Sequence, residues 1–424
     1  MNIGVDVDGV LTDFEWFLDF YARKMFGKKF RSDKEQYKFE DRFFCSSKDE
    51  IKFYARYLWG YIRKIPINEG AAAAIRTLRQ QGNRIYIITA RALASSRKNP
   101  ISLMMRNILK KWLEKNGVEY DEILFVSSSN SATEKYALAK CLKLDYFIED
   151  DPYNIREFAR VTKVICITAN YNLNIPNVYY ALDFGEVFHI ISTNDQISVV
   201  PFEERNKMPR DKRVEYYERL KRYYSASPSD KTVLDIYRKN FEKTAKIFRA
   251  FFRYVIKSEL IFKDDARFMD NAIYICNHRR ALDIPLILYT LKDQTPRLLL
   301  KKELKGTMSG KILSRIGVVY VDRSSRISGK KAQNALIKTV LNGGSILIFP
   351  EGTRNKTEQP LLPFRYGALH IAQVTGAPIV SMALKKVKKG RYKIKVAAPM
   401  YINKGDILEP NMTKVQQTVL DMLV

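Results

Sequence analysis

The stretch Asn277-His278-Arg279-Arg280-Ala281-Leu282-Asp283 contains one of only three histidines in this chain of 424 residues. An apolar run at 272–276 precedes it and predicts a buried strand, so His278 should lie at a strand end, where α/β proteins place reacting groups. Pro285 follows, and because proline is tolerated in the first turn of a helix, Asp283 is predicted to be a helix N-cap. A His–Asp pair across this turn can form a general base, since the carboxylate orients the imidazole and stabilises its cationic form. The alternative is a pair with structural roles alone.

Two later stretches end in a similar way. Gly317–Arg323 (GVVYVDR) is an apolar strand that ends in an arginine, and Phe349–Arg354 (FPEGTR) is a strand that ends in a glycine turn and an arginine. A guanidinium group suits phosphate oxygens because it can donate two parallel hydrogen bonds. The three strand ends together therefore indicate one site that binds a phosphate and removes a proton beside it.

In order and spacing, these motifs resemble those of the PlsC-type glycerolipid acyltransferases, and the resemblance covers residues 231–424. It implies that His278 removes the proton from a glycerol hydroxyl that attacks an acyl thioester, while Asp283 holds the imidazole. It also implies substrate contacts from the residues Arg323, Glu351, Gly352, Thr353 and Arg354. Among these, Glu351 is expected to orient an arginine or the acceptor, and neither a metal nor another cofactor is implied.

The fourth motif of this family is usually an apolar run with two prolines. Here it reads Ala377–Met382, and Ser381 replaces the second proline. Because this block is thought to border the acyl donor, the choice between acyl-CoA and acyl carrier protein stays open. The other two histidines, His189 and His370, are predicted to be structural.

The N-terminal stretch Asn2–Asp13 (NIGVDVDGVLTD) carries Asp6 and Asp8 at the end of a short apolar strand. Two carboxylates at this spacing can share a Mg²⁺ ion, which prefers oxygen ligands. One of them can also attack phosphorus as a nucleophile.

Three further features accompany these aspartates. A strand at 84–89 ends in the hydroxyl of Thr89, and a strand that begins at Asp145 ends in the acids Glu149, Asp150 and Asp151. Lys135 follows a Ser-rich loop at 127–131 and lies at the start of a predicted helix.

This set resembles the haloacid dehalogenase (HAD) superfamily, and the details DVDGVLTD, ITAR and IEDDP are most similar to its nucleotidase-type branch. The resemblance implies that Asp6 is the nucleophile and Asp8 the general acid/base, and that Thr89 and Lys135 hold the phosphoryl group. It also implies a Mg²⁺ site formed by Asp6, the backbone carbonyl of Asp8, and two of the three acids at 149–151. We expect these two to be Glu149 and Asp150.

The whole chain is therefore predicted to be α/β. An N-terminal HAD-like domain, with a Rossmannoid parallel sheet, covers 1–195 and includes a small helical cap at about 14–66. A basic linker at 196–230, with one short helix near 211–224, would lead to a C-terminal α/β glycerolipid acyltransferase domain at 231–424. This domain would begin with an amphipathic helix at about 233–257.

The charge balance indicates an anionic partner, because 73 Lys and Arg residues outnumber 46 Asp and Glu residues and give a net charge of +27. In the predicted helix near 233–257, a Phe-rich stripe alternates with basic residues, which is typical of a helix that lies in a membrane interface. The alternative is a helix that packs on the domain with a solvated basic face. The four cysteines form no CxxC pair, and no apolar run approaches 18 residues, so we expect a reduced, cytoplasmic protein on the inner face of the cell membrane.

The sequence thus predicts a 1-acylglycerol-3-phosphate acyltransferase, which makes phosphatidate from lysophosphatidate, fused to a Mg²⁺-dependent HAD phosphomonoesterase. One alternative is acylation of another lysophospholipid or of glycerol 3-phosphate, with a regulatory HAD domain. Another is a basic nucleic-acid-binding protein with a nucleotidase-like domain. Nucleic acid is not expected as a partner, because the densest basic run alternates with a Phe stripe and no nucleic-acid-binding motif is recognised.

Overall fold

The computed structural model describes residues 1–91, 94, 100–128, 130–228, 231–254 and 256–424, without the side chains at 60, 62–64, 231–233, 247–254, 308 and 309. The described chain divides into two compact units. One is formed chiefly by residues 1–197 and the other chiefly by 198–226 and 230–424.

The first unit is built on a six-stranded parallel sheet with the strand order β3-β2-β1-β4-β5-β6. Its strands are β1 (Asn2–Val5), β2 (Arg84–Thr89), β3 (Glu122–Phe125), β4 (Tyr146–Glu149), β5 (Lys163–Ile167) and β6 (Tyr179–Ala181). Its helices are α1 (Phe14–Phe26), α2 (Phe39–Phe43), α3 (Ser47–Lys64), α4 (Ala71–Gln80), α5 (Pro100–Lys115), α6 (Ser131–Cys141), α7 (Pro152–Phe158) and α8 (Phe184–Thr193). The central strands are almost entirely apolar because both faces of a parallel sheet are covered.

The segment predicted as a cap forms α1, α2 and α3. Its aromatic residues pack on one another: the ring centroid of Phe17 lies 5.5 Å from that of Phe53 and 4.5 Å from that of Tyr61. All three are buried. These side chains therefore form the small hydrophobic core that holds the three helices together.

The second unit is built on a seven-stranded sheet with the order β10-β9-β11-β8-β12-β13-β7, parallel except for the β12–β13 pair. Its strands are β7 (Lys257–Phe262), β8 (Ile273–Cys276), β9 (Arg297–Lys301), β10 (Val319–Val321), β11 (Ile346–Ile348), β12 (Ile379–Lys388) and β13 (Arg391–Val396). Its helices are α9 (Phe202–Lys207), α10 (Arg210–Ala226), α11 (Lys231–Tyr254), α12 (Asp283–Thr290), α13 (Met308–Arg315), α14 (Arg326–Leu341), α15 (Gly367–Thr375) and α16 (Leu408–Leu423). The predicted α/β class is confirmed, whereas the exposed edge strand β7 was not predicted.

The predicted linker at 196–230 requires a correction, because most of it forms α9 and α10 of the second unit. Tyr224 of α10 is buried and donates a hydrogen bond of 2.8 Å to Asn334. Nη1 of Arg205, in α9, lies 2.6 Å from Nδ1 of His370, and burial together with this arginine lowers the pKa of His370 to about 3. Tyrosines provide much of the buried face of α10, so the segment is polar and basic in composition although it packs like a core helix.

The basic helix α11 packs on the second unit along its described side chains. Phe241 is buried, and the side-chain amide of Asn240 donates a hydrogen bond of 3.0 Å to the carbonyl of Arg315. The ring of Tyr237 packs on Gly317, where an added Cβ would lie only 2.5 Å from that ring. The side chains of Phe248 and Phe252, which continue the predicted stripe, and residue Val255 lie outside the described part of the chain. Among the described helices, none combines the length and the apolar character that crossing a membrane requires.

Candidate functional sites

Three buried carboxylates meet at the carboxyl ends of β1 and β4 in the first unit. The backbone N–H of Asp6 donates 3.0 Å to the carbonyl of Ile148, which extends the pairing of the two strands by one residue. This brings Asp6 next to Glu149 and Asp150, and the ligand atoms of the three acids lie within 4.8 Å of one another. Burial raises the pKa of both Asp6 and Asp150 well above the usual range, although Lys135 opposes this shift at Asp6.

Glu149 and Lys135 form the fixed part of this site. Oε1 of Glu149 accepts the backbone N–H groups of Asp150 at 3.0 Å and Asp151 at 3.2 Å, and Oε2 accepts Nζ of Lys135 at 2.8 Å and Nδ2 of Asn154 at 3.1 Å. Nζ of Lys135 also lies 3.1 Å from Oδ1 of Asp6. Burial disfavours the charge on Lys135, but these two carboxylates raise the pKa of the amine above its usual value.

The next two acids have different surroundings. Asp151 caps α7, where it accepts the N–H of Tyr153 at 2.8 Å. Oδ2 of Asp150 accepts the hydroxyl of Tyr171 at 2.6 Å. Gly9 has a φ of +82°, and a Cβ built there would lie 2.0 Å from Oδ2 of Asp150, so the loop after β1 can approach this carboxylate only as glycine.

Thr89 lies at the end of β2, beside β1. Its side chain is buried, and among the described residues its hydroxyl has no hydrogen-bond partner. Because a buried hydroxyl without a partner costs free energy, such groups commonly face a ligand or an ordered water. The hydroxyl therefore suits an oxygen of a bound phosphoryl group.

Asp8 is held by two residues to which the sequence analysis gave no role. Arg91 donates from Nη2 to Oδ1 at 2.6 Å and from Nε to both carboxylate oxygens at 3.2 Å. The hydroxyl of Tyr61, in α3, also donates to Oδ1. Burial and Asp8 raise the pKa of Tyr61 well above its usual value, so the phenol keeps its proton. Arg91 directly follows the quoted Ile-Thr-Ala run, but only the folded chain shows that it reaches Asp8.

In the second unit, His278 and Asp283 meet as the spacing predicts. Nδ1 of His278 lies 3.2 Å from Oδ2 of Asp283, and both side chains are buried. The imidazole packs against Phe349, with ring centroids 4.5 Å apart. Because Nδ1 faces the carboxylate, Nε2 is the nitrogen that remains for a substrate.

The predicted N-cap role of Asp283 requires a correction. Asp283 is the first residue of α12, and the capping position belongs to Leu282, which makes no side-chain cap. The carboxylate instead accepts the backbone N–H groups of Arg279 at 2.7 Å and Arg280 at 2.6 Å. The carboxylate of Asp283 therefore holds the turn between β8 and α12 through these two hydrogen bonds. The turn brings His278, five residues earlier in the chain, within hydrogen-bonding distance of the same carboxylate.

Glu351, in the motif at 349–354, is joined by a hydrogen bond to the backbone of the motif that contains His278. Its Oε1 accepts the N–H of His278 at 2.7 Å and its Oε2 accepts the N–H of Leu362 at 2.9 Å. Burial raises the pKa of Glu351, and these two hydrogen bonds lower it in part. The carbonyl of His278 accepts the N–H of Asn355 at 2.7 Å, so the backbone around the histidine is fixed from both sides.

An arginine that was not predicted joins this site. Gly352 has a φ of +69°, and a Cβ there would lie 2.7 Å from Nε of Arg365. Partial burial and, to a smaller extent, the positive charge of Arg365 lower the pKa of Arg323 below its usual value. Arg323 follows β10, and Arg365 precedes α15. Thr353 and Arg354 are exposed at the same glycine turn. Two neighbouring cations at an exposed position favour binding of an anion.

Ser381, which replaces the second proline of the fourth motif, is buried in β12 opposite Ile275 of β8. Its carbonyl accepts the N–H of Ala397 at 2.9 Å. The motif thus contributes a central strand of the sheet.

Comparison with protein-family models assigns the two units to different classes. Residues 1–197 match the model described as 5′ nucleotidase, deoxy (pyrimidine), cytosolic type C protein, and residues 257–385 match the model described as acyltransferase. Residues 1–197 are thus similar to a nucleotidase family and residues 257–385 to an acyltransferase family, which confirms the prediction that two families are combined in this chain.

Curated relatives resemble the C-terminal part. A 1-acyl-sn-glycerol-3-phosphate acyltransferase from Cocos nucifera is 38% identical over 117 residues, which is 27% of this chain and 37% of the relative. One from Haemophilus influenzae is 32% identical over 126 residues, or 30% of this chain and 52% of the relative. The chain thus spans between a third and about half of the length of these relatives.

Solved structures that match parts of this chain have low TM-scores. PlsC from Thermotoga maritima is 24% identical, covers 44% of this chain and 77% of its own, and has a TM-score of 0.34. A predicted phosphoglycolate phosphatase from Haemophilus somnus is 16% identical, covers 45% of this chain and 96% of its own, and has a TM-score of 0.30. The fold assignment rests on the strand orders and the motif positions described above.

Proposed function

We propose that the second unit transfers an acyl chain from acyl-CoA or acyl carrier protein to the free hydroxyl of 1-acyl-sn-glycerol 3-phosphate and so produces phosphatidate. The observation that carries this proposal is the buried His278–Asp283 pair, 3.2 Å apart, which Glu351 joins through the N–H of His278 to the glycine turn that Arg365 contacts. The names of the curated relatives of this part of the chain support the choice of acceptor.

In the proposed reaction, His278 takes one proton from the acceptor hydroxyl and then gives it to the leaving thiolate. Nε2 of His278 takes the hydroxyl proton as the oxygen attacks the thioester carbonyl, and Asp283 stabilises the imidazolium through Nδ1. The C–S bond then breaks, the new ester remains, and the leaving thiolate takes the proton from Nε2. Glu351 has both oxygens occupied by backbone N–H groups, so its proposed role is to position His278.

The role of His278 can be tested by substitution. His278→Ala should reduce acyl transfer by about 10²–10⁴-fold, the contribution of a positioned general base. Phosphate release by the first unit should be unchanged, which serves as the control for folding of the rest of the chain. Acyl transfer by the variant at the wild-type rate would reject the proposal.

We propose that Arg323, Arg354 and Arg365 bind the phosphate of the acceptor. Arg323→Ala and Arg365→Ala should each weaken use of lysophosphatidate by about tenfold to a hundredfold, since a hydrogen bond to a charged group contributes about 1.5–3 kcal/mol. Activity toward monoacylglycerol, which lacks the phosphate, should change little. Arg391→Ala, on the exposed part of β13, is the matched control and should leave both activities intact. An equal loss with both acceptors would contradict phosphate recognition.

We further propose that the first unit hydrolyses phosphomonoesters with Mg²⁺. The donor set fits this ion, because Asp6, Glu149 and Asp150 offer buried carboxylate oxygens within 4.8 Å of one another. Burial and, after it, neighbouring acids raise the pKa values of Asp6 and Asp150, and a cation would stabilise their ionised forms. Asp6 and Asp150 would hold it with the backbone carbonyl of Asp8. Glu149, which the sequence analysis expected as a ligand, already accepts four donors, so we propose that it acts mainly by fixing Lys135. Bound there, the ion would offset the repulsion between an anionic nucleophile and an anionic phosphate.

The residues of this unit would then carry out two steps. Asp6 attacks phosphorus, the ester P–O bond breaks, and the leaving oxygen takes a proton from Asp8 to become an alcohol. Asp8 next takes a proton from water as that water attacks the phosphorus of the phospho-Asp6 group, which releases phosphate and restores Asp6. Thr89 and Lys135 would hold the phosphoryl oxygens throughout.

The nucleophile and the metal can be tested together. Asp6→Asn should abolish phosphate release from nucleotides, glycerol phosphates and lysophosphatidate alike, and should leave acyl transfer unchanged. Removal of divalent ions with a chelator should have the same effect on the wild type and should be reversed by added Mg²⁺. Hydrolysis that persists in the variant or without a divalent ion would exclude this mechanism, and the panel itself would identify the substrate.

We propose that the protein is cytoplasmic and associates peripherally with anionic membrane, partly through α11. The wild type should sediment with phosphatidylglycerol vesicles, and binding should fall as salt rises, because salt screens the attraction between basic residues and the lipid. Phe248→Glu with Phe252→Glu should release it, whereas Ile51→Glu, at an exposed apolar residue of the first unit, should not. Sedimentation of the double variant that is independent of salt would contradict this role of the helix.

The alternatives differ in assays on the same purified protein. Acylation of other lysophospholipids or of glycerol 3-phosphate would appear as a different acceptor preference. A regulatory HAD domain would release no phosphate from any ester of the panel. A nucleic-acid-binding protein would give a salt-sensitive gel shift without vesicle binding.

A further inference from the structure

Asp8 lies between one residue that follows strand β2 of the first unit and one residue of the cap, which together form a clamp. Arg91 follows β2, and Tyr61 lies near the end of α3. The guanidinium group stands 5.1 Å from the centroid of the Tyr61 ring, and both side chains are buried. We infer that Arg91 and Tyr61 are positioning residues that aim one oxygen of Asp8 at the leaving group of the substrate, and that the cap therefore contributes directly to proton transfer. This inference rests on the proposed phosphomonoesterase function.

The hydrogen bonds of the clamp distinguish the two oxygens of Asp8. Oδ1 receives Nη2 of Arg91 at 2.6 Å, Nε of Arg91 at 3.2 Å and the hydroxyl of Tyr61. Among the described residues, the only donor to Oδ2 is the shared Nε of Arg91, at 3.2 Å. With Oδ1 occupied by three donors, Oδ2 is the oxygen that can carry a proton to the leaving group and take one from water.

The clamp is itself held in place. The Tyr61 hydroxyl lies 3.3 Å from Oγ1 of Thr12, which accepts the N–H of Gly9 at 3.2 Å in the loop that carries Asp8. On the cap side, the ring of Tyr61 packs against Phe14 at 5.3 Å and Phe17 at 4.5 Å. Because the aromatic core of the cap fixes this tyrosine, a displaced cap would remove one of the donors to Oδ1.

Nη1 of Arg91 provides a second, independent observation. This nitrogen is buried and has no hydrogen-bond partner among the described residues, as is also true of the hydroxyl of Thr89 two positions earlier. Buried donors without partners commonly face a ligand or an ordered water, so these two groups near the end of β2 suit the binding of a ligand there.

The inference makes a specific kinetic prediction. An alkyl alcohol is a poor leaving group and needs a proton as the P–O bond breaks, whereas 4-nitrophenolate leaves without one. Arg91→Lys keeps the positive charge but loses the fork that binds both carboxylate oxygens. It should therefore lower kcat/KM for glycerol 2-phosphate by about 10- to 100-fold, a part of the contribution of general acid catalysis, and lower kcat/KM for 4-nitrophenyl phosphate by less than about threefold.

Two further variants separate positioning from a loss of structure. Tyr61→Phe keeps the ring and its packing but removes the hydroxyl, and it should show the same selective loss to a smaller extent. If Arg91→Lys does not fold, Tyr61→Phe alone tests the inference. Arg106→Lys is the matched control, because Arg106 donates 2.6 Å to the carbonyl of Ala94, three residues past Arg91, and does not contact Asp8. It should affect both substrates equally or not at all.

The outcomes are distinguishable from those of the proposed function. A selective loss with glycerol 2-phosphate in Arg91→Lys and Tyr61→Phe supports the clamp. An equal loss with both substrates, or the same selectivity in Arg106→Lys, overturns it while Asp6-dependent hydrolysis by the wild type still stands. A wild type that releases no phosphate, or an active Asp6→Asn variant, overturns the phosphomonoesterase proposal and the clamp with it.

Discussion

The compensation of buried charge is the constraint on which both sites of this protein depend. A parallel sheet places polar side chains at the carboxyl ends of apolar strands, where water is scarce and an unpaired carboxylate costs several kcal/mol. Glu149 meets this constraint with four donors, and Glu351 with two backbone N–H groups. These saturated acids form rigid frames around the groups that are proposed to react.

The candidate sites of the two units differ in the sign of the charge that they would bind. In the first, Asp6 and Asp150 have raised pKa values because burial and neighbouring acids disfavour their ionised forms, so the site favours a cation. In the second, Arg365 lowers the pKa of Arg323 together with burial, so the site favours an anion. Both arrangements suit phosphate chemistry, the first because its residues could hold a metal ion and the second because it offers guanidinium groups.

Glycines at two turns show how local conformation and packing act together. Gly9 and Gly352 both have positive φ, and at both a Cβ would overlap a side chain of the candidate site, Asp150 in the first case and Arg365 in the second. The motifs therefore need glycine for two reasons at once. A sequence pattern predicts the turn, whereas the side chain that occupies the space beside it comes from a distant part of the chain.

The sequence by itself determined the α/β class, the two families and the residues that cluster at strand ends, because motif spacing and strand periodicity are local properties. It left Arg91, Tyr61 and Arg365 without a role in either site and interpreted α10 as a short helix within a linker. Only the tertiary structure decided that Arg91 and Tyr61 donate hydrogen bonds to Asp8 and that Asp283 accepts backbone N–H groups of the turn before α12. It also decided that α10 packs on the second unit through buried tyrosines. The physical reason is that both features depend on which surfaces the fold brings together. Hydrogen bonds between residues far apart in the chain form only there, and a tyrosine, which has an apolar ring and a polar hydroxyl, can be buried or exposed according to its surroundings.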